Sequence, residues 1–353
     1  FGLRDSISDI IDNQWPAISH YDYIVGMTSD VSEEEANQIN AELNQVGATN
    51  IRRITRENVL LESSTQKAGS LTRTTIMTSD SLQDLTGLAT LRNRLSGQTI
   101  ELGEDSVVIT EKLAKRLGVG VGDTIQVYAQ DRIGNASGEP STLTVTGVAE
   151  NYVGSYLYLG PSAWHSLGIQ DQAADGWYAT LPEDQATRDA FGEKLINQTG
   201  VATVDDVNEA IRTYRESLAV VNRVVAILIV AAALLAFIVL YNLTNINIEE
   251  RIREIASLKV LGFTRHEVDA YVFREIALLA VFGALFGLVL GTCLEGFVVQ
   301  TAEIDLVMFG RAIHAPSYWF AFGLTLVFSL LVYVAMRPKL KNIDMVESLK
   351  SVE

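Results

Sequence analysis

The side chains best able to hold a metal or attack a bond are few and poorly placed. His20, His165, His266 and His314 show no ligand spacing, and one cysteine, Cys293, excludes both a disulfide framework and a cysteine-clustered zinc site. Gly118, Gly120 and Gly122 form a glycine-rich run before Asp123, but the run follows a helical pattern and precedes a strand. A phosphate cradle needs the reverse order, so that the anion meets a helix N-terminus. The run therefore reads as a helix stop and a tight turn. No Gly-Lys-Ser/Thr nucleotide loop occurs, and Ser166 beside His165 lacks the third partner and nucleophile turn of a hydrolase. Neither a catalytic group nor a metal site is expected, and no cofactor is expected to bind the chain directly.

The residues around 250–262 suit docking instead. A helix from about residue 249 shows Ile252, Ile255, Leu258 and Leu261 on one side, and Gly262 stops it. Glu250, Arg251, Arg253, Glu254 and Lys259 occupy the other side. An anchor helix lying on lipid carries a basic polar face. Here the signs are mixed, which fits a groove on a protein better.

Three apolar stretches position that helix: Val224 to Tyr241, Ile276 to Leu294, and Tyr318 to Met336, with no charge inside any of them. Each is long enough for a bilayer core, which takes roughly 20 residues. Between the first two lie Arg251, Arg253, Lys259, Arg265 and Arg274, and after the third come Arg337, Lys339, Lys341 and Lys350. Only Arg311 lies between the second and third. This bias puts the first loop and the C-terminus in the cytoplasm, and residues 1–218 outside a plasma membrane. Gly283, Gly287 and Gly291 repeat at four-residue spacing in the second span, a ridge that lets helices approach closely in lipid. No leader that would export the first part is present, so a fourth span is expected upstream of Phe1.

Charge divides the chain in the same way. Residues 1–218 hold 16 Lys and Arg against 31 Asp and Glu, whereas residues 219–353 hold 11 against 12. A net charge of −16 with no basic face argues against nucleic acid as a partner. The acidic surplus reads as a solubility feature, with attraction of cationic peptides as the alternative.

The fold class expected is an α-helical transmembrane protein plus an α+β extracytoplasmic domain of two subdomains on a helical stalk. Its parts are a stalk helix at 1–19, an outer α+β subdomain at 20–94 plus 171–204, and an inserted β-rich subdomain at 95–170. The stalk and first span cover 205–241, the cytoplasmic loop 242–275, the second span 276–294, the outer loop 295–317, the third span 318–336 and the tail 337–353. Ser32 to Glu35 reads as a capping box opening a helix whose inner side is Ala36, Ile39, Leu43 and Val46. Glu183–Thr199 reads as a helix with Ala190, Phe191 and Leu195 apolar. A last helix is expected from Thr203, with Asp205, Asp206 and Glu209 in its first turn, running unbroken into the first span.

The run Glu250-Arg-Ile-Arg253-Glu254-Ile255-Ala-Ser-Leu258-Lys-Val-Leu261-Gly262 resembles the cytoplasmic loop of FtsX-like ABC transporter permeases of the MacB type. Pro338 with Asp344-Met-Val-Glu347-Ser-Leu349 is similar to that family's ending, and Val108-Ile-Thr-Glu111 through Val121-Gly122-Asp123 is similar to its inserted outer subdomain. The resemblance implies a non-catalytic subunit that pairs with a second permease module or a second copy in membrane lipid and sits on ABC ATP-binding subunits. ATP and Mg would then act at that partner. It assigns coupling to Glu250, Arg251, Arg253, Glu254, Leu258 and Gly262. It leaves open whether the chain is a whole permease or the C-terminal module of a longer one. Under the resemblance the task is export or displacement of peptides, lipids or lipoproteins, or mechanotransmission to a cell-wall hydrolase or sensor kinase; the competing reading, without the resemblance, is a membrane-anchored receptor or adhesin with no ATPase.

Overall fold

The computed structural model describes residues 1–63, 65, 69–131, 133–169, 174–302, 307–310 and 313–341. Arg311, Lys350 and the Asp344–Leu349 ending lie outside them. The chain divides into two compact units, Ile7–Glu216 with Glu303–Gly310, and Phe1–Ser6 with Ser217–Ala302 and Arg311–Glu353. Helix α1 (Gly2–Asn13) contributes to both and passes into a π-helical turn at Gln14–Ile18.

The first unit is built on one mixed sheet of ten strands. In chain order its elements are β1 (Tyr23–Met27), α2 (Glu33–Gln45), β2 (Thr49–Ser63), β3 (Thr72–Thr78), α3 (Leu82–Leu88), β4 (Val107–Thr110), α4 (Glu111–Leu117), β5 (Thr124–Gln130), β6 (Ala136–Thr144), β7 (Gly147–Ala149), β8 (Tyr156–Leu159), α5 (Pro161–Leu167), β9 (Ala174–Thr180), α6 (Gln185–Ile196) and β10 (Val201–Asp206). The main strand order is β10-β1-β9-β2-β3-β8-β4-β7, and β5 branches from β2 and carries β6. The long β2 is the shared spine. Its first half pairs with β9 from Thr49↔Thr180 to Arg56↔Ala174, and its second half pairs with β5 from Val59↔Ala129 to Ser63↔Ile125.

Three cores follow from this branching. Tyr23, Val25 and Met27 alternate inward on β1, as a half-buried strand requires. They meet Ala36, Ile39 and Leu43 of α2 and Phe191 and Leu195 of α6. Ser32 caps α2, accepting from the Glu35 amide while the Glu35 side chain returns to the Ser32 amide. A second core joins Val59 and Leu61 of β2 to Ile125 and Val127 of β5, Leu113 and Leu117 of α4, and Trp164 of α5. Gly118, at φ +68°, stops α4 in the left-handed conformation. A third gathers Ile10, Ile18, Ile54, Met77, Leu85, Tyr158 and Tyr178.

Two local expectations are corrected. Residues 201–206 form β10 and not the start of a helix. Antiparallel pairing with β1, from Tyr23↔Asp206 to Met27↔Val201, claims their backbone, and this nonlocal pairing outweighs the preference of Asp205 and Asp206 for a first helical turn. On α6 the inward residues are Arg188, Phe191 and Leu195, while Ala190 is exposed. Arg188 is only 1% exposed, with Nε and Nη2 each donating to Asp206 at 2.8 Å and Nη2 to Asp22 Oδ1 at 3.1 Å.

The second unit is helical: α7 (Val207–Glu250), α8 (Ile252–Val260), α9 (Arg265–Ala302) and α10 (Ala315–Lys341). Among the described residues three segments are long and apolar enough to cross a membrane: Asn222–Glu250 with 29 residues, Ala277–Thr301 with 25, and Ala315–Met336 with 22. Ile227, Leu235, Phe286, Val289 and Phe320 point outward, as side chains facing lipid do. Within this unit the start of α1 touches α9 and α10. Ser6 Oγ donates to Glu295 Oε1 at 2.7 Å, and Phe1 stacks against Phe320 with ring centroids 6.3 Å apart.

Candidate functional site

The loop between the first two long helices is an ordered hairpin. Helix α7 ends at Glu250, and the chain turns at Arg251 before α8 begins. The Ile255 amide then takes the Arg251 carbonyl at 3.0 Å. Glu250 thus closes α7 and does not open α8, which differs from the single helix expected from about 249. The bend lets Ile248 of α7 and Ile255 of α8 enter one cluster with Val268, Val332 and Met336, all 1% exposed or less. Leu258 packs against that cluster and is half-buried.

The far end is closed by backbone geometry. The Leu261 amide donates to Ser257 O and the Phe263 amide to Leu258 O, and Gly262 sits at φ +92°. This is a left-handed stop of the kind glycine adopts without strain. Thr264 then restarts the chain. Its amide and hydroxyl both donate to Glu267 Oε2, at 2.7 and 2.8 Å. Those bonds hold the Glu267 carboxyl below the usual range and fix the start of α9.

Glu250, Arg253, Glu254 and Gly262 are exposed and Arg251 is half-buried. Beside them stand three apolar side chains that are exposed among the described residues: Val260 at 62%, Leu261 at 75% and Phe263 at 48%. Leu261 was expected among the buried apolar residues of α8. It follows the last helical residue, where Gly262 turns the chain away from the cluster. The clue in the sequence is the pair Leu261 and Phe263 flanking a glycine stop. The hairpin offers a firm surface, mixed in charge around an apolar tip, which is the composition of a protein-docking patch.

The glycine row on α9 has open space beside it. A Cβ built on Gly283, Gly287 or Gly291 meets no atom within 4 Å. Gly287 and Gly291 line a groove of about 200 Å³ together with Phe1, Thr292, Glu295 and Tyr318. Three of the histidines lie at separate places: His20 Nε2 bonds the Thr90 hydroxyl at 2.7 Å, His165 faces Asp80 at 3.2 Å, and the backbone amide of His314 donates to Asp5.

Three long apolar helices following an α+β domain built on a mixed sheet have the makeup of a multi-pass membrane protein. Residues 226–345 match the FtsX-like permease C-terminal family, and residues 2–214 match the MacB-like periplasmic core domain. The chain belongs to the FtsX/MacB-type ABC transporter permeases, which are typically non-catalytic membrane subunits and imply an ATP-binding partner subunit. Among solved structures it is similar to the periplasmic region of MacB from Actinobacillus actinomycetemcomitans, at 12% identity over 56% of this chain and 94% of that one, with a TM-score of 0.31. It is also similar to the extracellular domain of the noncanonic ABC-type transporter YknZ from Gram-positive bacteria, at 14% identity over 51% and 100%, with a TM-score of 0.26. A permease domain from Porphyromonas gingivalis matches at 12% identity over 50% and 82%, with a TM-score of 0.26. None of the curated proteins matches the chain.

Proposed function

We propose that the chain couples ATP hydrolysis in its partner subunit to movement of its outer domain, and that this movement expels or displaces peptides, lipids or lipoproteins. The observation that carries the reading is the hairpin around Gly262, whose inner side is locked by Ile255 and Val268 while Glu250, Arg253, Glu254, Leu261 and Phe263 are exposed among the described residues. Glu250, Arg251, Arg253, Glu254, Leu258 and Gly262 form or support the docking surface, and Leu261 and Phe263 extend it. ATP and Mg act in the partner. Helix α7 supports the mechanical step, because it runs unbroken over 44 residues from the last strand to the hairpin. A continuous helix transmits displacement that a flexible linker would absorb.

The open glycine row supports close packing of a further helix, supplied by a fourth span or a second permease copy. The excess of Lys and Arg in the hairpin supports a cytoplasmic position.

The test is co-purification with the ABC ATP-binding subunit. The double substitution Arg253→Glu, Leu258→Asp is expected to abolish association, and unchanged association would overturn the coupling role. Labelling of Arg251→Cys in a Cys293→Ala background is expected only from the cytoplasmic side. Cargo release and cell-wall cleavage measured in one depletion strain separate export from regulation, since an effect on cleavage alone would eliminate export.

A further inference from the structure

Strand β10 ends the sheet on one side, and α6 packs beside it. Tyr23 pairs with Asp206 and Val25 with Val204, so these side chains share the face of β1 and β10 that α6 covers. On α6, Asp189 and Glu193 lie one turn apart, alongside Arg188, Gly192 and Ile196. A cavity of about 370 Å³ opens between these elements and the first turn of α7, lined by Tyr23, Asp189, Glu193, Asp206 and Glu209 among others. That volume lies in the range of small-molecule sites.

Tyr23 is 2% exposed, and its hydroxyl reaches this cavity without a hydrogen-bond partner among the described residues. The ring itself is fixed, with the Phe191 ring centroid 6.0 Å away and the Arg188 guanidinium 5.6 Å from its centroid. Gly192 leaves the hydroxyl room, since a Cβ there would come within 2.8 Å of it. Burial, and then the charge of Asp206, pushes the hydroxyl up to about 12, so it stays a neutral O–H at pH 7. A buried hydroxyl without a partner is costly, and phenylalanine would fill the same space without that cost.

The charges lining the cavity are four carboxylates and one guanidinium. Arg188 is committed to Asp206 and Asp22, which leaves Asp189, Glu193 and Glu209, all exposed, at the mouth. Asp189 accepts from Gln185 Nε2 at 2.7 Å, and Glu209 faces Arg212 at 3.8 Å across an open surface. The Glu193 carboxylate has no partner among the described residues. Among the described residues no three His, Cys, Asp or Glu side chains are placed to hold a metal ion, so these acids do not form a metal cage. One cavity therefore joins a neutral buried hydroxyl lacking a partner to an excess of negative charge.

We propose that this cavity binds the primary ammonium end of an alkylamine, carried by a free diamine or by a lysine side chain, with its N–H groups donating to the Tyr23 hydroxyl oxygen, Asp189 and Glu193. An ammonium has three donors and no acceptor, which matches one neutral and two charged oxygens. Ile196 and Val204 supply an apolar wall for the alkyl stem. An anion could accept from Tyr23 but would be repelled by the carboxylates. A quaternary ammonium would match the charge and leave the hydroxyl unsatisfied, and a diol would satisfy the hydroxyl and forgo the charge. The site lies wholly in the first unit and stands or falls without the coupling hairpin.

The experiment is calorimetric titration of the full chain in detergent with cadaverine and with Nα-acetyl-L-lysine methylamide, using pentanediol and tetramethylammonium as controls. Saturable binding of at least one amine is expected, weakened about tenfold or more in Tyr23→Phe and in the double variant Asp189→Asn, Glu193→Gln. Tyr23→Phe deletes a group that has no partner in the fold, so its thermal midpoint is expected at or above that of the parent protein, and its loss of binding is then not a loss of folding. Tighter binding of cadaverine assigns the site to a free diamine, and lysine amide binding as tightly or more so assigns it to a lysine side chain. No saturable binding of either amine up to about 10 mM would overturn the proposal. So would unchanged affinity in Tyr23→Phe, or a control that binds as tightly as the better amine.

Discussion

Arg94 and Glu111 meet in a two-point ion pair, Nε to Oε2 at 2.8 Å and Nη2 to Oε1 at 3.0 Å. The pair ties the segment after α3 to the first residue of α4, and Lys115, one turn on, bonds the same carboxylate. Burial opposes ionisation of Glu111, but the bonds from Arg94 and Lys115 outweigh it and hold the carboxyl at about 2. A carboxyl depressed in the folded state stabilises the fold above its unfolded value, near 4.5, and that stability is lost as pH falls toward 2. Denaturation of the full chain in detergent, followed by tryptophan fluorescence, is expected to show Glu111→Gln about 2 kcal/mol less stable at pH 7 and close to the parent protein at pH 2. An equal deficit at both pH values would show that charge is not the cause. Trp15, Trp164 and Trp177 lie in the unit concerned, so the signal reports on it.

The buried Arg188 makes a sharper prediction. Its guanidinium bridges Asp206 at the end of β10 and Asp22 just before β1, and also donates to the carbonyls of Leu181, Pro182 and Asp22. Arg188→Ala leaves two poorly solvated carboxylates facing one another and is expected to cost about 3–5 kcal/mol. Adding Asp22→Asn and Asp206→Asn removes that repulsion and is expected to recover part of the loss. A triple variant no more stable than Arg188→Ala alone would assign the cost to lost packing.

Which features were legible follows from the range of the forces that set them. The capping box at Ser32 and the inward row Ala36, Ile39 and Leu43 are local, with partners within one or two helical turns. The apolar spans are legible because lipid imposes one rule on every residue inside them. Arg188 was not, because a charged residue becomes an inward one only when Asp22 and Asp206 arrive from distant sequence. The strand at 201–206 was missed for the same reason, its partner β1 lying far back in the chain. Of the candidate docking site, the charged residues were legible from α8 itself. The exposed tip was not, since only the packing of Ile255 against Val268 and Met336 reveals which apolar side chains are left over.

The glycine row separates internal packing from packing against another helix. Because a Cβ at Gly287 meets nothing beyond its own helix within 4 Å among the described residues, Gly287→Leu is expected to leave the thermal midpoint of the isolated chain within about a degree of the parent protein. The same substitution fills the surface that a neighbouring helix would approach, so cross-linking between permease copies in native membranes is expected to fall severalfold. Unchanged cross-linking would place any helix contact on another face of α9.

The two sides of the hairpin make opposite predictions. Ile255 is fully buried, so Ile255→Asp puts a charge into the cluster of Ile248, Val268, Val332 and Met336 without a partner. That substitution is expected to destabilise the unit by several kcal/mol, about 3 or more, and to lose the ATP-binding subunit as a consequence of misfolding. Leu261 lies ten residues after Arg251 and is 75% exposed, and Phe263 is 48% exposed. Neither supports the cluster, so the double variant Leu261→Asp, Phe263→Asp is expected to keep the parent thermal midpoint while losing about tenfold or more in affinity for the ATP-binding subunit. Gly262→Ala adds a third arm. No atom blocks the new methyl group, but φ +92° strains any residue other than glycine by about 1 kcal/mol, which would shift the tip without removing it. An intermediate loss of affinity at full thermal stability is its expected signature. If the double variant bound as the parent does while Ile255→Asp alone failed, the hairpin would be only a structural brace and the partner would dock elsewhere.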